Sequence, residues 1–173
     1  SPAADSVPAM IANRAVCNIG GPGGMRRVAV EDFNTGPRTN CLATDEILVS
    51  IDFPMPAPRS SDAYLRFIPR TEMDIAVAGA AVALTLDASG VCTDARVAIG
   101  AVAPAALLVP LAAETLVGST LDDAALRRAA AAASGAASPI SDKRGTAEYR
   151  KKVVGVLVRR AAAIAKARIE SQF

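Results

Sequence analysis

A chain of 173 residues is long enough to bury a core and to form one or two compact units. Hydrophobic residues make up 51% of it but aromatics only 3%, with no Trp, so the core has to be built from Ala, Val, Leu and Ile, a composition that suits closely packed helices. A net charge of +2, from 19 basic and 17 acidic residues, gives no reason to expect nucleic acid or an anionic membrane as partner, and the lack of His all but closes off zinc sites and imidazole acid–base chemistry.

The first fifty or so residues read as β-rich. Short extended runs at Ala15–Ile19 and Arg27–Val30 flank Gly20-Gly21-Pro22-Gly23-Gly24, and Ile47–Phe53 alternates apolar and polar side chains as a half-buried strand does. The glycine run does not match G-x-G-x-x-G or a P-loop, and Met25–Val30 after it reads as a strand rather than a helix start, so a hairpin turn is expected there rather than a phosphate cradle. Pro54-Met55-Pro56-Ala57-Pro58 denies backbone donors and marks a connector, placed at residues 53–62 between a unit at 1–52 and another at 63–173.

Beyond the connector come strands at Tyr64–Ile68, at Val77–Asp87, where frequent Ala leaves room for an initial helical turn, and at Thr93–Gly100, the last two joined by a turn at Asp87–Gly90. The remainder reads as helical. Leu107–Val117 stops at Gly118, a helix runs from Asp122 to about Ala133, and Thr146 caps a long final helix. In that helix Tyr149, Val153, Val156, Leu157, Ala161 and Ile164 fall on one face, with most of Lys151, Lys152, Arg159, Lys166 and Arg168 off it as a solvated face. The fold class is therefore α+β: a β-rich lobe, then a three-stranded antiparallel sheet on a three-helix bundle.

No apolar run is long enough for a membrane span, and the start lacks the pattern of a signal peptide. Ser1 in place of an initiator Met fits a cleaved or truncated product. Cys17, Cys41 and Cys92 are widely spaced, without a Cys-x-x-Cys, which fits a reducing cytoplasm and cannot alone hold an iron–sulfur cluster.

Ser1-Pro2-Ala3-Ala4-Asp5, Glu31-Asp32-Phe33-Asn34-Thr35-Gly36, Asp45-Glu46-Ile47-Leu48, Arg70-Thr71-Glu72-Met73-Asp74-Ile75-Ala76 and Asp142-Lys143-Arg144-Gly145-Thr146-Ala147-Glu148-Tyr149-Arg150 occur in this order from end to end. Together they resemble the FAD-binding (medium) subunit of the molybdenum hydroxylases, the group of xanthine dehydrogenase and aerobic carbon monoxide dehydrogenase. The family's phosphate-binding glycine loops would lie before Ser1, so the chain resembles the C-terminal part of such a subunit.

The resemblance implies roles for particular residues. By itself Asp5 reads as a turn residue after Pro2; in the family the corresponding carboxylate approaches the polar edge of the flavin and can accept a hydrogen bond from a ring N–H. Leu48 reads as a core side chain, while the family uses the backbone here against the flavin edge. Arg66 reads as an exposed strand residue, but stands where the family usually has Lys, a cation near the flavin pyrimidine that stabilises negative charge on reduction. Arg70, Glu72 and Asp74 match a mobile connection bordering the flavin in some members, with Met73 where some have a second acid. Asp142, Arg144, Gly145 and Tyr149 read as structural: a capped helix start, a buried tyrosine ring and an arginine free to pair with an acid.

The implied function is that of a redox subunit. Substrate would be oxidised at a molybdenum cofactor on a large partner subunit, and electrons would pass through iron–sulfur clusters on a small subunit to FAD, then to an acceptor. The alternative is a docking or assembly module that does not bind FAD on its own; in either case the isolated chain is expected to be inactive, and a cytoplasmic location is expected.

Overall fold

Two antiparallel sheets organise the chain, and a short helix between them carries the first residues onto the second sheet. The structure is a computed structural model that describes residues 1–70 and 74–171. In chain order the elements are α1 (Ser6–Ala12), β1 (Val16–Gly21), β2 (Gly24–Ala29), α2 (Val30–Phe33), β3 (Ile47–Asp52), β4 (Ser60–Phe67), β5 (Ala78–Leu86), β6 (Cys92–Gly100), β7 (Leu107–Leu108), α3 (Pro110–Glu114), α4 (Asp123–Ala136) and α5 (Ala147–Glu170).

The first sheet has the order β2-β1-β3. Gly21 lies opposite Gly24, so Pro22 and Gly23 form a two-residue hairpin turn, and Gly24 sits at φ 101, where a side chain is strained. The glycine run thus turns a hairpin. On the other edge of β1 the register with β3 slips between Asn18 and Ile19: Asn18 faces Ser50, Ile19 faces Leu48, and Val49 is the extra residue of a bulge.

Sequence periodicity places no helix at residues 6–12, yet α1 forms there, with Pro8 in its first turns where a missing N–H costs nothing. It buries Ile11 and Ala12, and Ile11 joins Ala15, Cys17, Ile19 and Val30 in a small core shared with Ala98 on β6 and Ala106 just before β7. Arg96 on β6 reinforces the junction, donating to the Ile11 carbonyl at 3.0 Å and to Glu31 at 2.7 Å.

The second sheet runs β4-β5-β6-β7. Its first three strands form the expected antiparallel sheet, and β7 adds two residues at the edge through Leu107 and Leu108. Leu107–Val117 is therefore not one helix: Pro110 cannot continue a helix from Leu107 but suits the first position of α3. β5 is strand from its first residue, with no helical turn, and reads Ala-Gly-Ala-Ala-Val-Ala-Leu because it is covered on both faces, by α1 and by α5. Small side chains there let both helices approach.

α4 and α5 begin as their caps dictate. Asp122 accepts from the Ala125 N–H at 2.7 Å and Thr146 from the Tyr149 N–H at 3.2 Å. The buried face of α5 differs from the expected stripe: Leu157 and Ala161 lie in it, but Tyr149, Val156 and Ile164 are exposed, and Arg150, Val154, Val158, Ala162, Ala165 and Ile169 face inward. Gly155 explains part of this phase. A Cβ there would lie 2.6 Å from Ser134 Oγ and 3.1 Å from the Ala130 carbonyl oxygen, so α4 crosses closest at a position without a side chain. No helix among the described residues is long and apolar enough to cross a membrane.

Candidate functional site

The first turn of the chain and the end of β4 meet over the second sheet. Tyr64 and Arg66, two residues apart on β4, project from the same face. The Tyr64 hydroxyl donates to Asp5 at 3.1 Å, and the Arg66 guanidinium donates to the other oxygen of the same carboxylate. The Asp5–Arg66 pair is more than a third exposed on both sides, so its stability contribution is about 0–1 kcal/mol; its main effect is to fix position. Burial and, after it, the Asp5 charge push the Tyr64 phenol above its usual range.

Asp5 occupies the N-cap position of α1 yet caps nothing, because its carboxylate is turned toward β4 instead. Two glycines make that possible. Gly79 on β5 lies opposite Arg66, and Gly100 on β6 lies opposite Gly79. A Cβ on Gly79 would stand 3.0 Å from the Tyr64 hydroxyl oxygen, and one on Gly100 would stand 2.7 Å from Cγ of Pro8. This bare row lets the tyrosine ring and the start of α1 lie directly on the sheet.

Two of the three expected site residues, Asp5 and Arg66, are therefore in direct contact. Leu48 is elsewhere, on β3, beside the Val49 bulge. Its side chain is 39% exposed rather than part of a core, because no described element covers that strand. β3 is an edge strand with β1 on one side, which leaves alternate peptide groups directed outward. Tyr64 was legible only as a strand residue; nothing in its spacing announces a bond to Asp5.

The connection after β4 is pinned at its far end. Asp74 pairs with Arg70 at 3.4 Å and with Arg144 at 3.3 Å, and the Ile75 N–H, then Arg144, hold its carboxyl below the usual range. Glu72 and Met73 lie outside the described residues. Arg144 does pair with an acid, whereas the Tyr149 ring is not buried. It is 43% exposed and meets Phe67 edge-on at 6.2 Å, while Arg150, the next residue, points into the core.

Family comparisons agree on both halves of the chain. The profile of the FAD binding domain in molybdopterin dehydrogenase matches residues 1–56, and that of the CO dehydrogenase flavoprotein C-terminal domain matches residues 63–165. The chain is 39% identical over 157 residues to the carbon monoxide dehydrogenase medium chain of Afipia carboxidovorans, covering 91% of this chain and 54% of that protein. It is 29% identical over 158 residues to a putative xanthine dehydrogenase FAD-binding subunit of Escherichia coli, with the same coverages of 91% and 54%.

Among solved structures, a Cu,Mo-CO dehydrogenase in its cyanide-inactivated form superimposes with a TM-score of 0.92 at 38% identity, covering 97% of this chain and 58% of that one. Quinoline 2-oxidoreductase from Pseudomonas putida gives 0.88 at 28% identity, covering 98% and 58%. The chain spans about half the length of the curated relatives it matches. On matches that run from the first residues to α5, the chain belongs to the flavoprotein (medium) subunit family of the molybdenum hydroxylases.

Proposed function

We propose that the chain supplies the polar edge of an FAD site, and the C-terminal domain (residues 63–173) behind it, in the flavoprotein subunit of a molybdenum hydroxylase complex. The observation that carries this reading is the carboxylate of Asp5 held on β4 by Tyr64 and Arg66. That donor–acceptor set fits the pyrimidine edge of a flavin: a carboxylate oxygen to accept a ring N–H, and guanidinium N–H groups to donate to a ring carbonyl. In this reading the Leu48 peptide, at the open edge of β3, offers a further backbone contact. The glycine run at Gly20–Gly24 is taken up by a hairpin, so the phosphates would be held by other residues of the subunit.

When bound, FAD supplies the redox step, accepting electrons from iron–sulfur clusters on a small partner subunit and passing them to an acceptor. The chain's own residues orient and tune. Asp5 fixes the ring edge by accepting a hydrogen bond from a ring N–H. Arg66 favours negative charge on the pyrimidine side, and Tyr64 keeps the carboxylate aimed. Substrate oxidation belongs to a large subunit with the molybdenum cofactor, and the assembly is cytoplasmic in this reading.

The test is FAD content and flavin midpoint potential in the assembled enzyme. Asp5→Ala removes the acceptor and leaves a ring N–H, Tyr64 and Arg66 unmatched, a cost of roughly 1–3 kcal/mol, so FAD content falls. Arg66→Lys keeps the cation and alters the potential only modestly. Full FAD content with an unchanged potential in Asp5→Ala, beside an empty site in Arg66→Lys, would sink the assignment.

A further inference from the structure

Arg150 is the charged side chain that the described core encloses, at 4% exposure. Burying a guanidinium is costly unless its donors are used, and an apolar side chain of similar size is often the more stable choice. Here Nη1 and Nη2 reach three separate places, while Nε is buried without a partner. Nη1 donates to the Val77 carbonyl at 3.0 Å and the Ala101 carbonyl at 3.4 Å, and Nη2 donates to Asp142 at 2.6 Å. Val77 directly precedes β5 and Ala101 directly succeeds β6, so the guanidinium ties the start of one strand to the end of its neighbour.

Ala101 is under strain. It has φ 63, in the left-handed region that a non-glycine residue enters only when its surroundings hold it there. Its carbonyl is held by Arg150, and its own N–H donates to the Pro2 carbonyl at 2.7 Å. Pro2 opens the turn that delivers Asp5: the Ala4 N–H donates to Ser1 at 3.0 Å, and the Val7 N–H to Ala4 at 3.3 Å. A continuous path thus leads from a buried guanidinium through one strained residue to the segment whose carboxylate meets Tyr64 and Arg66.

We infer that Arg150 is a positioning residue: through Ala101 and Pro2 it sets where the Asp5 carboxylate stands on β4. Its bearing on the flavin rests on the function proposed above, but its effect on Asp5 does not, and the two are separable. Tyr64 reports the position of Asp5 without any cofactor, because burial first and then the nearby carboxylate hold its phenol protonated, against the opposing charge of Arg66. The chain has two tyrosines, so Tyr64→Phe assigns its titration against Tyr149.

The experiment is an alkaline absorbance titration of tyrosinate in the 173-residue chain. A lysine at 150 keeps the charge but cannot span two carbonyls and a carboxylate, so Arg150→Lys should lower the ionisation pH of Tyr64 by about one unit. Asp5→Ala should lower it as well, and in that background Arg150→Lys should have no further effect. A folded Arg150→Lys chain with an unmoved Tyr64 titration overturns the inference, as does an effect that persists at full size without Asp5. If Arg150→Lys does not fold, Asp142→Asn, which strips the guanidinium of its counter-charge, is read by the same two criteria. In the assembled subunit, Arg150→Lys should shift the flavin midpoint potential in the same direction as Asp5→Ala. If the Tyr64 shift occurs while flavin content and potential stay put, the positioning role stands and the flavin reading falls.

Discussion

The two sheets use similar residues and have opposite surroundings. In β5 and β6 nearly every side chain is covered, with Val82, Val97 and Ile99 fully buried. In β3 the run Ile47-Leu48-Val49-Ser50-Ile51-Asp52 is almost wholly open, and Ile47 is 67% exposed. The second sheet has α1 on one face and α5, backed by α4, on the other, whereas the first has α1 and α2 against β1 and, among the described residues, no layer over β3. Alternation along a strand therefore reports which residues share a face; whether that face is buried depends on a layer that the strand itself does not encode.

The difference is best broken by deletion. Leu116 is fully buried in the core of the second sheet and its helices, and Leu116→Ala should cost about 2–5 kcal/mol through lost transfer energy and the cavity left behind. Val49→Ala on the open strand should stay within about 0.5 kcal/mol. Urea denaturation of both variants measures the contrast, and equal costs would mean that β3 is covered after all.

A smaller effect comes from adding a methyl. Gly155→Ala gains about 1 kcal/mol in helix propensity, but its Cβ meets Ser134, which is tied to the Lys151 carbonyl, and the Ala130 backbone. Overpacking costs roughly 1–3 kcal/mol, so the net change should be a destabilisation of about 1 kcal/mol. Gly23→Ala in the hairpin turn meets nothing within 4 Å and should be neutral. A stabilised Gly155→Ala variant in thermal melts would show that α4 and α5 leave room for a methyl where they cross.

The smallest effect is local to the first sheet. Arg26 on β2 makes a two-pronged contact with Glu46, at 2.7 Å on each oxygen, and the Ala43 N–H also binds the carboxylate. These bonds hold the Glu46 carboxyl down to about 2, against 4.5 for an ordinary one. Because the folded value is the lower of the two, the contribution is complete above about 4.5 and is lost as pH falls toward about 2. Protection of the β1–β3 amides, taken relative to their intrinsic exchange rate at each pH, should therefore fall across that window in the native chain, and Glu46→Gln should remove that acid dependence. An identical acid limb in both proteins would remove Glu46 from the account.

Much of the fold was legible where local chemistry decides it. Asp122 and Thr146 announce their helices by their carboxylate and hydroxyl oxygens, the Gly20–Gly24 run announces a turn, and Pro54–Pro58 an irregular connector. The features that escaped depend on partners distant in sequence. The face of α5 was misphased because alanines and Gly155, not the larger Val156 and Ile164, lie where the sheet and α4 come closest. Arg150 drew no reading beyond its place at the end of the Asp142–Arg150 segment, since its bonds go to carbonyls 73 and 49 positions away. Of the site, the family resemblance supplied Asp5 and Arg66. Tyr64, which joins them, has no signature short of the fold.

The paired glycines at 79 and 100 set an unequal tolerance to mutation. Elsewhere in β5 and β6 an apolar side chain can be exchanged for another if neighbouring helices adjust. In this row there is no side chain to exchange: any atom added at Gly79 moves Tyr64, and any added at Gly100 moves Pro8, before anything touches a bound ligand. Variation that the sheet would absorb as a packing defect is converted here into a displacement of the Asp5 carboxylate. The most permissive residue type in the protein thus occupies two of its least permissive positions.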